Sequence, residues 1–299
     1  MDAYIGEIAA LLAAFSFSLT SVCYTLAGRR INATVSMAAS LPMSWLVLLA
    51  LHQLALGEVF PFSASLERWL LLGASGILAF VISAYFILNA YQSIGPRLTM
   101  LIASFAPVLG AILAFVFIGQ TLPANSALGI ALVILGIVWV VAERSPAQAV
   151  SDNAHLRRGV IFAVLGTLAQ GSAFVFSSEG VADGFSPFSG ILMRTTAGMA
   201  AIWLFIACQA NIRQTLAAFH NDRRTFLQIF AAAILGPVIA GSFLLLSFQH
   251  IPVGVATTLS HTTAIMLIPI GYVVFKERIS LRAVLGTALA MIGIAILFS

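Results

Sequence analysis

The stretch TTLSHTTAIMLIP, residues 257–269, sets one histidine among five hydroxyls inside an otherwise apolar run. Imidazole changes charge near neutral pH, so His261 is the side chain here best suited to meet a polar ligand or take up a proton. On a helix it shares a face with Thr257, Thr258 and Ile265. Two readings stand: a cavity residue that contacts substrate, or a neutral ring bonded to a neighbouring hydroxyl and packed between helices. Arg194 is a second candidate, a cation well inside an apolar stretch. A guanidinium can hook a carboxylate or phosphate, or it can pair with Glu179 or Asp183 at a neighbouring helix end.

Polar and aromatic side chains at helical spacing form three further stripes: Thr167, Gln170, Phe174 and Ser177; Phe17, Ser21 and Tyr24; and Tyr85, Asn89 and Gln92. Lone hydroxyls in apolar helices commonly bond back to their own i−4 carbonyl or glue helices together. Gln170 differs, because its amide has more donors and acceptors than a helix backbone can serve. All ten carboxylates lie in polar segments or at the ends of apolar stretches. Glu7 comes nearest to a buried acid. It is read either as a first-turn acid favoured by the helix dipole or as a proton-coupling group. There is no HExxH, no GxSxG and no pair of aspartates within an apolar stretch. The sequence therefore predicts no enzyme, no catalytic residue, no metal site and no cofactor.

What must position these residues follows from composition. Of 299 residues, 61% are hydrophobic and 8% charged, with a mean hydropathy of +1.07. A soluble chain carries about a quarter charged residues, so this one predicts a bilayer. The net charge of +4 does not predict a nucleic-acid partner. The basic residues come in ones, twos and threes at the ends of apolar stretches, as membrane proteins place them. Cys23 and Cys208 fall inside such stretches and are read as packing residues. The amino terminus, MDAYIGEIAA, lacks a basic lead-in and is read as the start of the first span.

A helix crosses the hydrocarbon core with roughly 17–25 apolar residues. Spans are predicted near 3–27, 34–56, 67–92, 96–118 and 124–142, then 156–179, 187–208, 225–248, 254–275 and 281–298. Turn chemistry separates several of them, at Gly95-Pro96, Pro123-Ala124-Asn125, Ser186-Pro187 and Ile251-Pro252. Proline kinks are expected at Gly236-Pro237, Pro107 and Pro269. The polar stretch 143–158 divides two sets of five: a first unit at 1–145, a linker at 146–155 and a second unit at 156–299.

The sets repeat. LGIALVILGI (128–137) and LGTALAMIGI (285–294) agree at six of ten positions with an offset of 157 residues. The same offset pairs Gln92 with Gln249, Gln120 with Glu277 and Ser104 with His261. An odd number of spans per copy makes the second copy enter the membrane from the opposite side. The predicted fold is an all-α membrane protein of ten transmembrane helices in two inverted five-helix repeats, an architecture that binds substrate near the midplane. Twelve of the fourteen basic residues fall in loops after odd-numbered spans and only Arg68 after an even one. By the positive-inside bias, both termini lie outside the cytoplasm.

These features, above all the paired units IGQTL (118–122) and FKERI (275–279) followed by LGxALxxxGI, resemble the drug/metabolite transporter superfamily in its ten-span EamA-like branch. The resemblance covers nearly the whole chain. Two positions depart from it. Gln120 stands where that branch carries an acidic residue, and the region of Ser40 lacks an arginine that relatives place near the second span, although Arg194 fits the seventh. The outward amino terminus also differs from the orientation expected of many relatives. The resemblance implies a multi-pass transporter of the cytoplasmic (inner) membrane, a monomer or homodimer that moves a small metabolite such as an amino acid or vitamin by efflux or exchange. The cavity it implies lies where the fourth and ninth spans meet the first, third, sixth and eighth. The substrate-binding set expected is His261, Gln170, Ser104, Thr257, Tyr85, Asn89, Phe174 and Tyr24, with an anion contact at Arg194. A channel-like facilitator is the alternative, and a membrane-embedded enzyme a more distant one.

Overall fold

A computed structural model describes residues 4–27, 33–143, 153–208, 223–275 and 281–297. Among the described residues, seven helices are long and apolar enough to cross a membrane, and three shorter apolar ones, Ala106–Ile118, Ala124–Trp139 and Val284–Leu297, bring the number to ten. Spans 1 and 2 are Ile5–Ala27 and Ala33–Leu56; span 3 runs from Leu66–Ile77 through a π-helical segment, Leu78–Ser83, into Ala84–Ala103. Spans 4 to 7 are Ala106–Ile118, Ala124–Glu143, Asn153–Gly180 and Pro187–Cys208. Span 8 repeats the pattern of span 3, with Arg223–Ala233, a π segment Ile234–Ala240, and Gly241–Phe248. Span 9 is Val253–His261 followed by Thr263–Phe275, and span 10 is Leu281–Leu297. Residues 146–152 of the predicted linker and Glu277 lie outside the described residues.

Glycine decides how these helices approach. The repeated LGxALxxxGI motif is the seam between spans 5 and 10. A Cβ on Gly136 would sit 2.6 Å from Gly286 O, and one on Gly293 would sit 2.8 Å from Gly129 O. Small residues let backbones close to this distance, which in lipid is a main source of helix association. The pairing 136 with 286 and 129 with 293 runs in reverse order, so the two helices are antiparallel, as an inverted repeat requires.

Span 6 uses glycine in the same way, with Gly166 against Ile87, Gly171 against Gly110 and Gly180 against Leu72. Helical hydrogen bonding is continuous from Ala84 to Ala103, across Gly95-Pro96, where the sequence predicted a turn. The chain nevertheless doubles back between Ile94 and Ala106. Ile94 meets Gly159, while Ala106 and Gly110 meet Gly171, roughly 18 Å further along span 6 at 1.5 Å per residue.

The first helix of each copy packs largely in the other copy. Span 1 lies against spans 8 and 9, and span 6 against spans 3 and 4. Spans 2 and 7 pair, each giving an indole N–H to the other: Trp45 Nε1 to Thr196 Oγ at 2.9 Å, and Trp203 Nε1 to Ala38 O at 3.1 Å.

The π segment of span 8 has a local cause. Pro237 has no N–H, so the Ala233 carbonyl loses its helical donor. Ser44 Oγ of span 2 lies 3.1 Å from that carbonyl and 2.7 Å from Ser40 O of its own helix, sharing its proton between them, and Ser16 Oγ of span 1 donates to Leu235 O at 2.7 Å. Such rescue of opened carbonyls by hydroxyls is what allows proline in a membrane helix. Ser16→Ala should remove this hydrogen bond between spans 1 and 8 and cost about 0.5–1.5 kcal/mol, read as a lower thermal midpoint in detergent. An unchanged midpoint would remove this account of the kink. The π segment of span 3 lies at the 157 offset from that of span 8 and places Phe80 where span 8 has Pro237.

The breaks before span 4 and within span 9 also repeat. They fall at Ser104-Phe105 and at Thr262. Pro107 follows the first break closely, but Pro269 lies well inside Thr263–Phe275. The breaks therefore share a position in the repeat, and the prolines do not.

Candidate functional site

All five hydroxyls around His261 turn back to carbonyls of their own span. Thr257 and Thr258 Oγ1 donate to Val253 O and Gly254 O at 2.6 Å, and Ser260 Oγ to Ala256 O at 2.8 Å. Thr262 Oγ1 donates to Leu259 O at 2.6 Å. Thr263 Oγ1 lies 2.8 Å from Ser260 O and 3.1 Å from Ala14 O of span 1. The imidazole is thus bonded to backbone and not to a neighbouring hydroxyl, since His261 Nδ1 lies 2.8 Å from Thr257 O. A carbonyl only accepts, so Nδ1 carries the hydrogen. In the neutral ring Nε2 then offers a lone pair, and it has no partner among the described residues.

The ring stands edge-on to Phe174 of span 6, centroids 5.9 Å apart at 88°. Phe174 in turn meets Phe248 of span 8, centroids 6.3 Å apart at 61°. The His261–Phe174 contact therefore joins the group formed by spans 1, 8 and 9 to the group formed by spans 6, 3 and 4. One turn before Phe174 lies Gln170, half-buried, whose amide has no hydrogen-bond partner among the described residues.

The other expected residues are dispersed. Ser104 is buried at the break just before span 4. Thr257 is fully buried with its hydroxyl already bonded. Tyr24 OH donates to Ser40 Oγ at 2.7 Å, between spans 1 and 2. Tyr85 is 45% exposed and meets Phe205 of span 7, while Asn89 Nδ2 donates to Tyr85 O at 2.8 Å. Neither is brought against His261 by any contact among the described residues. Arg194 does not pair with Asp183, which lies 3.8 Å from Arg68 instead; its guanidinium carbon sits 5.8 Å from the Phe80 ring centroid. Glu7 Oε2 is buried and unpartnered.

A second cluster escaped the sequence reading. It ties together loops and helix ends on the face that carries the loops after even-numbered spans. Gln249 Nε2 donates to Val181 O at 2.9 Å and Phe185 O at 2.6 Å. Arg68 donates to Ala182 O at 3.0 Å and lies over the Phe185 ring, 4.6 Å from its centroid. His52 bridges Glu58 O at 2.6 Å and Ser189 Oγ at 2.9 Å. Gln120 Oε1 accepts from the Val253 N–H at 3.0 Å, filling one of the open donors at the start of span 9. The signals in the sequence were the repeat pairings of Gln249 with Gln92 and of Gln120 with Glu277. Gln92 faces the opposite way in the repeat and is exposed, with no hydrogen-bond partner among the described residues.

Comparison with known proteins places this geometry. A family model described as the EamA-like transporter family matches residues 4–142 and 157–299. A solved structure titled only "Crystal structure of protein" superposes with a TM-score of 0.75 at 16% identity, covering 99% of this chain and 95% of that one. That likeness is one of fold. No curated protein matches the chain in sequence.

Proposed function

Because the chain belongs to the EamA-like transporter family, we propose that it carries a small, partly polar metabolite across the cytoplasmic membrane by alternating access, as efflux or exchange. A transporter of this family is not an enzyme, and its small-molecule substrate needs a site that both halves can reach. The observation that carries the proposal is the edge-on contact of His261 with Phe174. Beside it are the unfilled lone pair of Nε2 and the free amide of Gln170. Together these offer one acceptor, a second acceptor and two donors against an aromatic wall, a lining suited to a small metabolite with a polar end. Exchange of the sealed and open faces moves one packing group past the other across this contact.

The test is counterflow in liposomes with unlabelled compound inside. Trans-stimulation identifies a carrier, and its absence a channel. A net hydrogen bond is worth about 0.5–1.5 kcal/mol, so His261→Ala and Gln170→Ala should each weaken apparent affinity roughly two- to tenfold while thermal stability is kept. Lower stability with unchanged transport per folded molecule would make His261 a packing residue. Uphill, proton-driven transport that survives His261→Ala would assign coupling to Glu7. The orientation that goes with this proposal puts both termini outside the cytoplasm. A reporter active only in the periplasm, fused after Ser299, should give signal, and activity of a cytoplasm-only reporter there would reverse the topology.

A further inference from the structure

Three buried side-chain polar atoms among the described residues have no hydrogen-bond partner, and two are neighbours on span 7: Arg194 Nε and Thr195 Oγ1. Arg194 is 4% exposed. Its two terminal nitrogens are not among those sealed atoms and make no hydrogen bond with the described residues, so each keeps a little accessible surface. Arginine cannot shed its charge, and a buried cation without a counter-charge is strongly unfavourable. No carboxylate among the described residues lies within ion-pairing distance of it. The guanidinium lies over the Phe80 ring, which belongs to the π segment of span 3. Such segments are frequent at functional sites. The backbone around the residue leaves no freedom for retreat, because a methyl on Gly76 would overlap the Arg194 carbonyl and one on Gly198 would press on Phe80.

The depth of this cation matches that of the proposed cavity. Span 3 runs antiparallel to span 6 with Leu72 beside Gly180 and Ile87 beside Gly166. Interpolation sets Phe80 beside residues 172–173, within one turn of Phe174. The guanidinium therefore sits at the level of the His261–Phe174 contact.

We propose that Arg194 is an anion subsite that receives a carboxylate of the transported metabolite, the counter-charge it lacks within the protein. This deepens the transport reading and rests on it. Charge balance selects carboxylate over phosphate, since one guanidinium neutralises one carboxylate, and the chain's only lysine, Lys276, lies 82 residues further along the chain. Arg is suited to this by its planar fork of donors, which meets a carboxylate through two parallel bonds.

The experiment measures thermal midpoints of purified protein in detergent against amino acids and simple carboxylic acids, their matched amides, and inorganic phosphate. At least one carboxylate should raise the wild-type midpoint while its amide does not, and Arg194→Gln should abolish that rise. Arg194→Lys, which keeps the charge without the fork, should retain a smaller one and serves if the glutamine variant does not fold. A carboxylate effect undiminished in Arg194→Gln, no carboxylate effect on the wild type, or a wild-type response to phosphate alone each overturns the proposal. Counterflow scores the carrier reading separately. Trans-stimulation without dependence on Arg194 keeps the carrier and discards this subsite. Carboxylate binding lost in Arg194→Gln, with no trans-stimulation, keeps the subsite and discards the carrier.

Discussion

Gly76→Ala should destabilise the protein by about 1–3 kcal/mol or more, the range for forcing a methyl group into a packed interior. The added carbon would overlap the Arg194 carbonyl, its carbon and its Cα, all backbone atoms that cannot rotate away. Spans 3 and 7 would have to separate to admit it. Gly73→Ala, one turn earlier on the same helix, should be close to neutral, because its methyl would rest 3.6 Å from Ala197 Cβ in ordinary contact. Gly198→Ala should fall between the two, since it meets a Phe80 ring edge at 2.5 Å that can turn aside. Thermal unfolding in a mild detergent reads all three. Equal midpoints for the Gly73 and Gly76 variants would mean that the helices do not approach as closely as described.

Gln249→Ala should loosen the contact between the loops after spans 6 and 8. The amide holds two carbonyls of the loop between spans 6 and 7. At about 0.5–1.5 kcal/mol each, their loss shifts the balance between closed and open forms of this contact by roughly 5–150-fold. Spin labels at His250 and Phe188, on the two sides of this contact, should then report a longer and broader distance distribution. Gln92→Ala removes the repeat mate, which holds nothing among the described residues, and should leave that distribution where it was. An unshifted Gln249→Ala distribution would assign closure to Arg68 and His52 instead.

The repeat was legible because its signature and its physical task coincide. LGxALxxxGI stands out in sequence for its glycines, and those glycines are the contact between spans 5 and 10. His261 was legible as a polar residue in an apolar run, and Phe174 from helical spacing on span 6. Their contact across two spans was not, since nothing local says which helices meet. Tyr85 and Asn89 show a limit of periodicity in a membrane. A polar side chain there can satisfy itself on its own backbone, as Asn89 does on Tyr85 O, so a polar stripe does not by itself mark a water-filled face. Arg194 could be recognised as buried, but not as unpaired, because the pairing of Asp183 with Arg68 depends on how two loops close. The Gln249 cluster was hidden for the same reason. Its acceptors are mostly backbone carbonyls, which every sequence has everywhere.

The exchange of first helices has a consequence for biogenesis. Span 1 enters the membrane before any other, yet the carbonyl that Ser16 seeks is Leu235, 219 residues later, and the hydroxyl that reaches Ala14 is on Thr263, 249 residues later. Through most of translation its small-residue face, Ala9, Ala10, Ala13 and Ala14, can touch only lipid or an insertion factor. Native contacts so distant in sequence form late and leave the nascent chain exposed to mispairing in the meantime. The two copies are therefore duplicates in sequence but not independent folding units. A chain arrested at the linker would hold a first helix with its place still unmade. Completing the carboxyl-terminal half, on the same chain or supplied as a second one, is what lets the amino-terminal half reach its native state.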